Sequence, residues 1–281
     1  MRVLVFGPTG MLGHEMVRIL RDSNLDVTTA GRSSSDILFD VGVSSFSQPG
    51  LRGFDYIVNC IGLTTHNINE LDSRAVESAK LLNSEFPIQL AAFAEETDAR
   101  VIQIATDCVY SGAKGSYVES DKHDATDVYG RSKSAGEVKS AHVMHIRSSI
   151  VGRELRGNKS LLEWVLGQPE DAKVPGFVDR RWNGVTTRAF SRIVKGVLVS
   201  ESFKSGTWHL VPKDKISKYE LVSLLARSFG RSDLQVSAAD SGLARDLTLS
   251  TEHPEVNHVL WNGGGYRNVP SIGEMIAEMA G

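Results

Sequence analysis

Tyr129 and Lys133 stand four positions apart in Tyr129-Gly-Arg-Ser-Lys133, the spacing that puts two side chains on one face of a helix. An ammonium beside a phenol favours the phenolate, so the pair predicts a tyrosine of lowered pKa poised to protonate a developing alkoxide. That is carbonyl reduction with a nicotinamide as hydride source, and the lysine is also placed to hold the nicotinamide ribose. Thr106 ends the apolar run Val101-Ile-Gln-Ile-Ala105 and offers a hydroxyl to the substrate oxygen. A second Tyr-x-x-x-Lys, Tyr110 to Lys114, has Gly112 inside a segment that reads as a loop. The first pair is therefore the predicted catalytic one, and the second a decoy.

A nicotinamide needs a dinucleotide site, and the chain starts with one. Val3-Leu-Val-Phe runs into Gly7-Pro-Thr9-Gly10-Met11-Leu12-Gly13, and Leu12, Met16, Ile19 and Leu20 recur at helical spacing. The pattern predicts strand, glycine turn and helix. Gly7 permits the turn, Gly10 lets backbone amides approach a pyrophosphate at the helix N-terminus, and Gly13 lets helix and sheet pack closely. The turn is one residue longer than G-x-G-x-x-G. After the second predicted strand, Leu25–Ala30, comes Arg32 with Ser33 to Ser35, and no carboxylate before Asp36. A guanidinium with hydroxyls suits a 2′-phosphate, so NADP(H) is favoured over NAD(H). Asp40 and Val41 close a short predicted strand from Ile37. Cys60, Ile61 and Gly62 end the buried run from Tyr56, so both segments are expected beside the cofactor.

Predicted strands and helices alternate through the first half, with a helix from Ala75 to Glu95 divided at Pro87. The expected class is α/β, a Rossmann-type doubly wound parallel sheet with a smaller C-terminal substrate-binding lobe. Residues 1–152 form the predicted cofactor domain, 153–281 mainly the lobe, and parts of 186–213 return to the sheet. The 281 residues, 41% hydrophobic and 23% charged with a net charge of −3, describe an ordinary globular chain without a basic surface for nucleic acid or anionic membranes. Met1-Arg2 leads directly into the first strand, leaving no room for a signal peptide, and no apolar run is long enough to span a membrane. A cytoplasmic protein with Cys60 and Cys108 as free thiols is expected. No metal site is expected, His142 and His145 falling where a helix end runs into a strand.

Beyond Gly152 the signals thin. Gly152 to Ser160 nearly spells a phosphate loop, but Asn158 separates Gly157 from Lys159 and spoils the register. Asp179-Arg-Arg-Trp-Asn-Gly-Val-Thr-Thr187 offers Arg181, Trp182 and Asn183 to clamp a diphosphate and stack on a sugar or base. Thr186 or Thr187 is expected to cap the next helix, and Ser271 a last one. Arg267 is a further expected substrate contact.

Together the glycine turn, Thr106 and Tyr129-x-x-x-Lys133 resemble the extended short-chain dehydrogenases/reductases. Ala105-Thr-Asp-Cys-Val-Tyr-Ser-Gly112, Val128-Tyr-Gly-Arg-Ser-Lys133, Ile146-Arg-Ser-Ser-Ile-Val-Gly152 and Ser217-Lys-Tyr-Glu-Leu221 are similar to the dTDP-4-dehydrorhamnose reductase-like branch. The resemblance implies a nucleotide-sugar substrate, NADPH-dependent reduction of a 4-keto-6-deoxy sugar, and a homodimer through helices of the first domain. It also implies a catalytic role for Asn83 in Leu81-Leu-Asn-Ser-Glu85 beside Thr106, Tyr129 and Lys133. Asp107 and Val109 are implied to line the substrate. Two features depart from the pattern. Ile150 replaces a tryptophan that faces the sugar, and Asp107-Cys108 replaces the Asp-Glu of the dehydratases. A 4-epimerase shares the same triad, and a non-catalytic NADP-binding subunit resembling the regulatory subunit of methionine adenosyltransferase, which is similar to the same branch, is a further alternative that the intact set leaves open.

Overall fold

The computed structural model describes residues 1–157 and 159–281. In chain order the first half comprises β1 (Arg2–Phe6), α1 (Met11–Arg21), β2 (Asp26–Gly31), β3 (Ile37–Leu38), β4 (Tyr56–Asn59), α2 (Ser73–Lys80), α3 (Phe86–Thr97), β5 (Arg100–Ala105), α4 (Val128–Ala135) and β6 (Val143–Arg147). Then follow β7 (Ile150–Val151), α5 (Leu161–Leu166), β8 (Lys173–Phe177), β9 (Arg180–Trp182), β10 (Val185–Thr186), α6 (Thr187–Val199) and β11 (Gly206–His209). The chain ends with β12 (Ile216–Ser217), α7 (Lys218–Ser228), β13 (Gln235–Ala239), β14 (Arg245–Asp246), α8 (Pro254–Gly263) and α9 (Ile272–Ala280).

Seven strands form one sheet in the order β11-β6-β5-β4-β1-β2-β3, every neighbouring pair parallel. Strands buried on both faces must be apolar throughout, and alternate residues serve opposite sides. On β1, Val3 and Val5 join one core with α1 and α6, while Leu4 and Phe6 join a second core with α3. The strand order reverses between β1 and β4, which opens a crevice at their carboxyl ends where such folds bind ligands. Thr186 caps α6, whose Phe190, Ile193, Val194, Val197 and Leu198 are all buried, and Ser271 caps α9 in a reciprocal box with Glu274. The second half adds a small lobe of paired strands, β8 with β13 and β9 with β12 and β14, packed on α5 and α7.

Two local readings are corrected. The expected strand from Ile37 to Val41 ends at Leu38, because Asp40–Ser44 closes into a turn through Ser44 N–H to the Asp40 carbonyl, 2.8 Å. The expected division of the long helix at Pro87 is a π turn over Leu81–Glu85 that joins α2 to α3 without a break. Pro87 has no N–H to give the Asn83 carbonyl four residues earlier, and its ring crowds that carbonyl, so the backbone widens just upstream. Among the described residues no helix is long and apolar enough to cross a membrane.

Candidate active site

The glycine turn is built for close approach. Gly7 leaves β1 at φ +74°, and a Cβ on Gly13 would overlap the Gly7 carbonyl. Gly10, by contrast, has its nearest neighbour 3.6 Å from where a Cβ would stand. It caps α1, so the amides of Met11, Leu12 and Gly13 open the helix without intrahelical acceptors, at its positive end. Thr9 is exposed at the rim. This cradle fits a pyrophosphate. Cys60 N–H donates to the Phe6 carbonyl at 3.0 Å, which sets Cys60 and Ile61 against Gly7, while Gly62 lies against Asn83. Burial pushes the Cys60 thiol up to about 12, so it is no nucleophile.

At the end of β2, Arg32 and Ser33 are exposed. Asp36 is not free to take a ribose. Its Oδ2 accepts from Thr29 Oγ1 at 2.7 Å and Thr29 N–H at 2.8 Å, and meets Arg21 at 3.2 Å. These bonds hold its carboxyl below the usual range, the Thr29 hydroxyl first. Asp40 lies exposed in its turn, and Val41 packs on the second core.

The catalytic candidates come from three elements. Thr106 follows β5 and caps a short turn, accepting from Cys108 N–H at 3.2 Å and donating to Asp107 Oδ1 at 3.1 Å. Tyr129 and Lys133 lie on α4, whose N-cap Asp127 accepts from Gly130 N–H at 2.7 Å. The Thr106 hydroxyl faces the Tyr129 phenol and favours its ionised form. Burial nevertheless pushes that phenol well above its ordinary pKa, with the Cys108 thiol, Asp107 and Asp127 adding to the effect. The expected lowering by Lys133 is therefore not met. Lys133 Nζ instead donates to the Ile104 carbonyl at 2.8 Å, and burial brings it down to about 8 against the pull of Glu137.

Asn83 is a buried strut. Its Oδ1 accepts from Leu63 N–H at 2.8 Å, and its Nδ2 donates to the Leu63 carbonyl and to Ser132 Oγ, both at 3.0 Å. It thus ties the loop beside the glycine cradle to the helix of Tyr129 and Lys133. A neighbouring bond, Ser84 Oγ to the Ser132 carbonyl at 2.7 Å, repeats the tie.

The expected substrate residues divide. Asp107 is 3% exposed and beside Thr106; burial pushes its carboxyl up, with Lys218 opposing. Val109 is corrected: it is 0% exposed, in a core with Tyr110, Tyr117 and Leu249, and presents no surface. Trp182 is 3% exposed and packs into the main core, so it anchors its segment and does not stack on a ligand. Asn183 is buried and exchanges two hydrogen bonds with the Leu249 backbone, Nδ2 to its carbonyl at 2.7 Å and its N–H to Oδ1 at 2.8 Å. Arg181 is half-buried on β9. Arg267 is exposed in a cleft with Lys213, Tyr266 and Glu274 that holds none of the catalytic candidates. Lys159 reaches Asn67 Oδ1 at 3.2 Å, and Leu155 borders the cleft with Pro8 and Thr9. Asn158, on which the phosphate-loop reading turned, lies outside the described residues. Cys108 is a free thiol raised well above its usual value by burial.

Three contributors escaped the sequence reading. Gly130 lets α4 seat on the Thr106 turn, since a Cβ there would overlap the Cys108 carbonyl. Ser132 receives the Asn83 strut, and Lys218 opens α7 beside Trp182 and Asp107. Only Gly130, a helix-weakening residue inside a predicted helix, left a local signal. Among the described residues no cluster of His, Cys, Asp and Glu is arranged to hold a metal ion.

Residues 1–246 match the RmlD substrate binding domain family. A dTDP-4-keto-6-deoxy-D-glucose reductase of Streptomyces niveus is 26% identical over 269 residues, covering 94% of this chain and 91% of that protein. The crystal structure of a dTDP-4-dehydrorhamnose reductase from Clostridium acetobutylicum superposes with a TM-score of 0.79 at 23% identity, over 99% of this chain and 98% of the other. That of a dTDP-4-dehydrorhamnose reductase from Bacillus anthracis in complex with NADP gives 0.77 at 18% identity, over 99% and 98%. With the family's extent spanning the sheet, the helix of Tyr129 and Lys133 and most of the lobe, the chain belongs to the RmlD substrate binding domain family.

Proposed function

We propose that the protein is an NADPH-dependent reductase of a nucleotide-activated 4-keto-6-deoxy sugar. The observation that carries this reading is the meeting of Thr106 and Tyr129 above buried Lys133, on a helix strutted to the loop beside the glycine cradle. The activity stated for the Streptomyces niveus relative supports it.

The glycine turn and the first amides of α1 hold the pyrophosphate, and Arg32 with Ser33 takes the 2′-phosphate, the Asp36 carboxylate being tied to Thr29. When bound, the dihydronicotinamide supplies the hydride that adds to the ketone carbon. Thr106 Oγ1 donates to the ketone oxygen and orients it. Tyr129 gives its phenolic proton to that oxygen as the C=O becomes CH–OH. A phenol held above its ordinary pKa is protonated at neutral pH, the form a reduction needs. Lys133, one helical turn further on, then returns a proton to the phenolate and is left as the neutral amine, which regains its proton from solvent.

The test is NADPH oxidation with dTDP-, UDP- and GDP-linked 4-keto-6-deoxy sugars. Oxidation with one of them supports the reading and names the nucleotide. NADPH binding without oxidation by any of them overturns it in favour of an epimerase or a non-catalytic cofactor-binding subunit.

A further inference from the structure

The cleft bordered by Pro8 and Thr9 of the glycine turn is also lined by Arg21 of α1, by Ser34 and Ser35 of the loop after β2, and by Asp36, and it encloses about 500 Å³. The loop folds back on the end of its strand: Ser35 Oγ lies 2.9 Å, and Pro8 Cδ 3.2 Å, from where a Cβ on Gly31 would stand. A dinucleotide that leaves the cradle passes this end of β2 with its adenosine ribose. Among the described residues lining the cleft, Asp36 is the one acid.

That carboxylate is held through a single oxygen. Ala30 pairs in register with Ile37, so Thr29 and Asp36 stand side by side one residue earlier. Thr29 N–H and Oγ1 donate to Asp36 Oδ2 at 2.8 and 2.7 Å, and the Asp36 N–H donates back to Thr29 Oγ1 at 3.0 Å. Arg21 Nη2 reaches the same Oδ2 at 3.2 Å. Thr29 is 3% exposed, so its bonds to the carboxylate are sheltered from water as well as charge-assisted.

A free carboxylate beyond β2 accepts the ribose 2′-hydroxyl of NAD and repels a 2′-phosphate. This chain keeps such an acid inside the cleft, and it nevertheless reads as NADPH-dependent. Resting on that reading, we propose that Thr29, with Arg21, determines the cofactor preference by clasping Asp36 to the strand and offsetting its charge, so that a 2′-phosphate is accepted beside it. Thr29 is then a positioning residue that acts through Asp36. With the clasp removed, the same carboxylate becomes a ligand for NAD.

The experiment measures Kd for NADPH and for NADH by nicotinamide fluorescence, in the wild type, Thr29→Val, Asp36→Asn and the double variant. Thr29→Val removes the hydroxyl and keeps the branched shape. It should weaken NADPH binding ~10-fold and tighten NADH binding severalfold, the scale of exposing one like charge to the phosphate. Asp36→Asn alone should leave the NADPH Kd within about threefold of wild type. Added to Thr29→Val, it should restore NADPH binding to that range, which a merely damaged strand would not allow. An unchanged NADPH-to-NADH ratio in Thr29→Val, equal weakening of both cofactors, or no restoration by Asp36→Asn overturns the proposal. Should Thr29→Val not fold, Arg21→Met at the exposed end of the clasp decides on the same criterion, with a smaller loss that Asp36→Asn again restores. A wild type that binds NADH as tightly as NADPH overturns the NADPH part of the reductase reading, and this inference with it. A wild type that prefers NADPH yet oxidises it with no keto sugar overturns the reductase reading alone.

Discussion

Tyr110 and Tyr129 each precede a lysine by four residues, and the fold treats them in opposite ways. Tyr110 is 0% exposed and stacks on Tyr117 with centroids 4.2 Å apart and planes 4° from parallel. Its hydroxyl donates to the Val118 carbonyl at 3.0 Å and accepts from Arg147 at 2.9 Å. Exposed Lys114 points away to pair with half-buried Asp121 at 2.6 Å, across a loop in which Gly112 has φ +83°. Tyr129 keeps its phenol for Thr106, and Lys133 follows it on one helical face. Burial raises both phenols, so a perturbed pKa does not separate them. What separates them is whether the oxygen is already spent.

That contrast can be broken most sharply at Tyr129. Tyr129→Phe should lower kcat by ~10³-fold or more, with NADPH affinity and Tm kept, since general-acid transfer contributes about 10²–10⁴-fold. Stopped-flow NADPH oxidation beside a cofactor titration reads both halves, and retained turnover removes Tyr129 from the mechanism. Next comes Lys133. With its ammonium brought to about 8, kcat/KM should be full below that pH and fall above it as the proton is lost. Lys133→Met should cost ~10²-fold and erase the alkaline limb, which a pH profile of both proteins shows.

The decoy side answers through stability. Tyr110→Phe should leave kcat unchanged while costing about 1–3 kcal/mol in urea unfolding, because the Val118 carbonyl and Arg147 lose a buried partner. A fall in kcat without a stability loss would reverse the assignment. On the same side, Arg147 Nη1 donates to His209 Nε2 at 2.7 Å, and His209 Nδ1 then donates to the Ser250 carbonyl at 2.7 Å. Burial first, then Arg147, depresses His209 from 6.5 to about 4. The unfolded chain binds the extra proton between those values, so stability is full above about 6.5 and lost as pH falls toward 4. The loss is on the order of 3 kcal/mol. His209→Gln should flatten that part of the unfolding-versus-pH curve. Smallest is Lys114→Ala, whose surface ion pair is worth at most about 1 kcal/mol. A Tm shift beyond a few degrees would mean that Lys114 is more than a solvated cation.

The same distinction explains what could be read in advance. Gly7, Gly10 and Gly13 announce themselves because strand, turn and helix are contiguous, and the apolar face of α6 does so through its period. Trp182 and Asn183 have the composition of a binding loop, yet burial and the Leu249 backbone consume them. Nothing local encodes that, because Leu249 is far along the chain. Lys218 is hidden for the converse reason. It looks like a solvated helix-start lysine until β12 pairs with β9.

The π turn at Leu81–Glu85 makes the helix from Ser73 to Thr97 one residue longer than its path requires. At 3.6 residues per turn, one residue is worth about 100° of rotation. Removing any single residue between Leu81 and Glu85, with Pro87 replaced by Ala, would let the helix run straight and still bury α3. Everything before the cut would swing by that angle about the axis, and an asparagine at the strut would face elsewhere. The loop beside Gly7 and the helix of Tyr129 would then be uncoupled without any change in either. An insertion that looks like an irregularity is here a gear tooth, setting the phase between the two halves of the site.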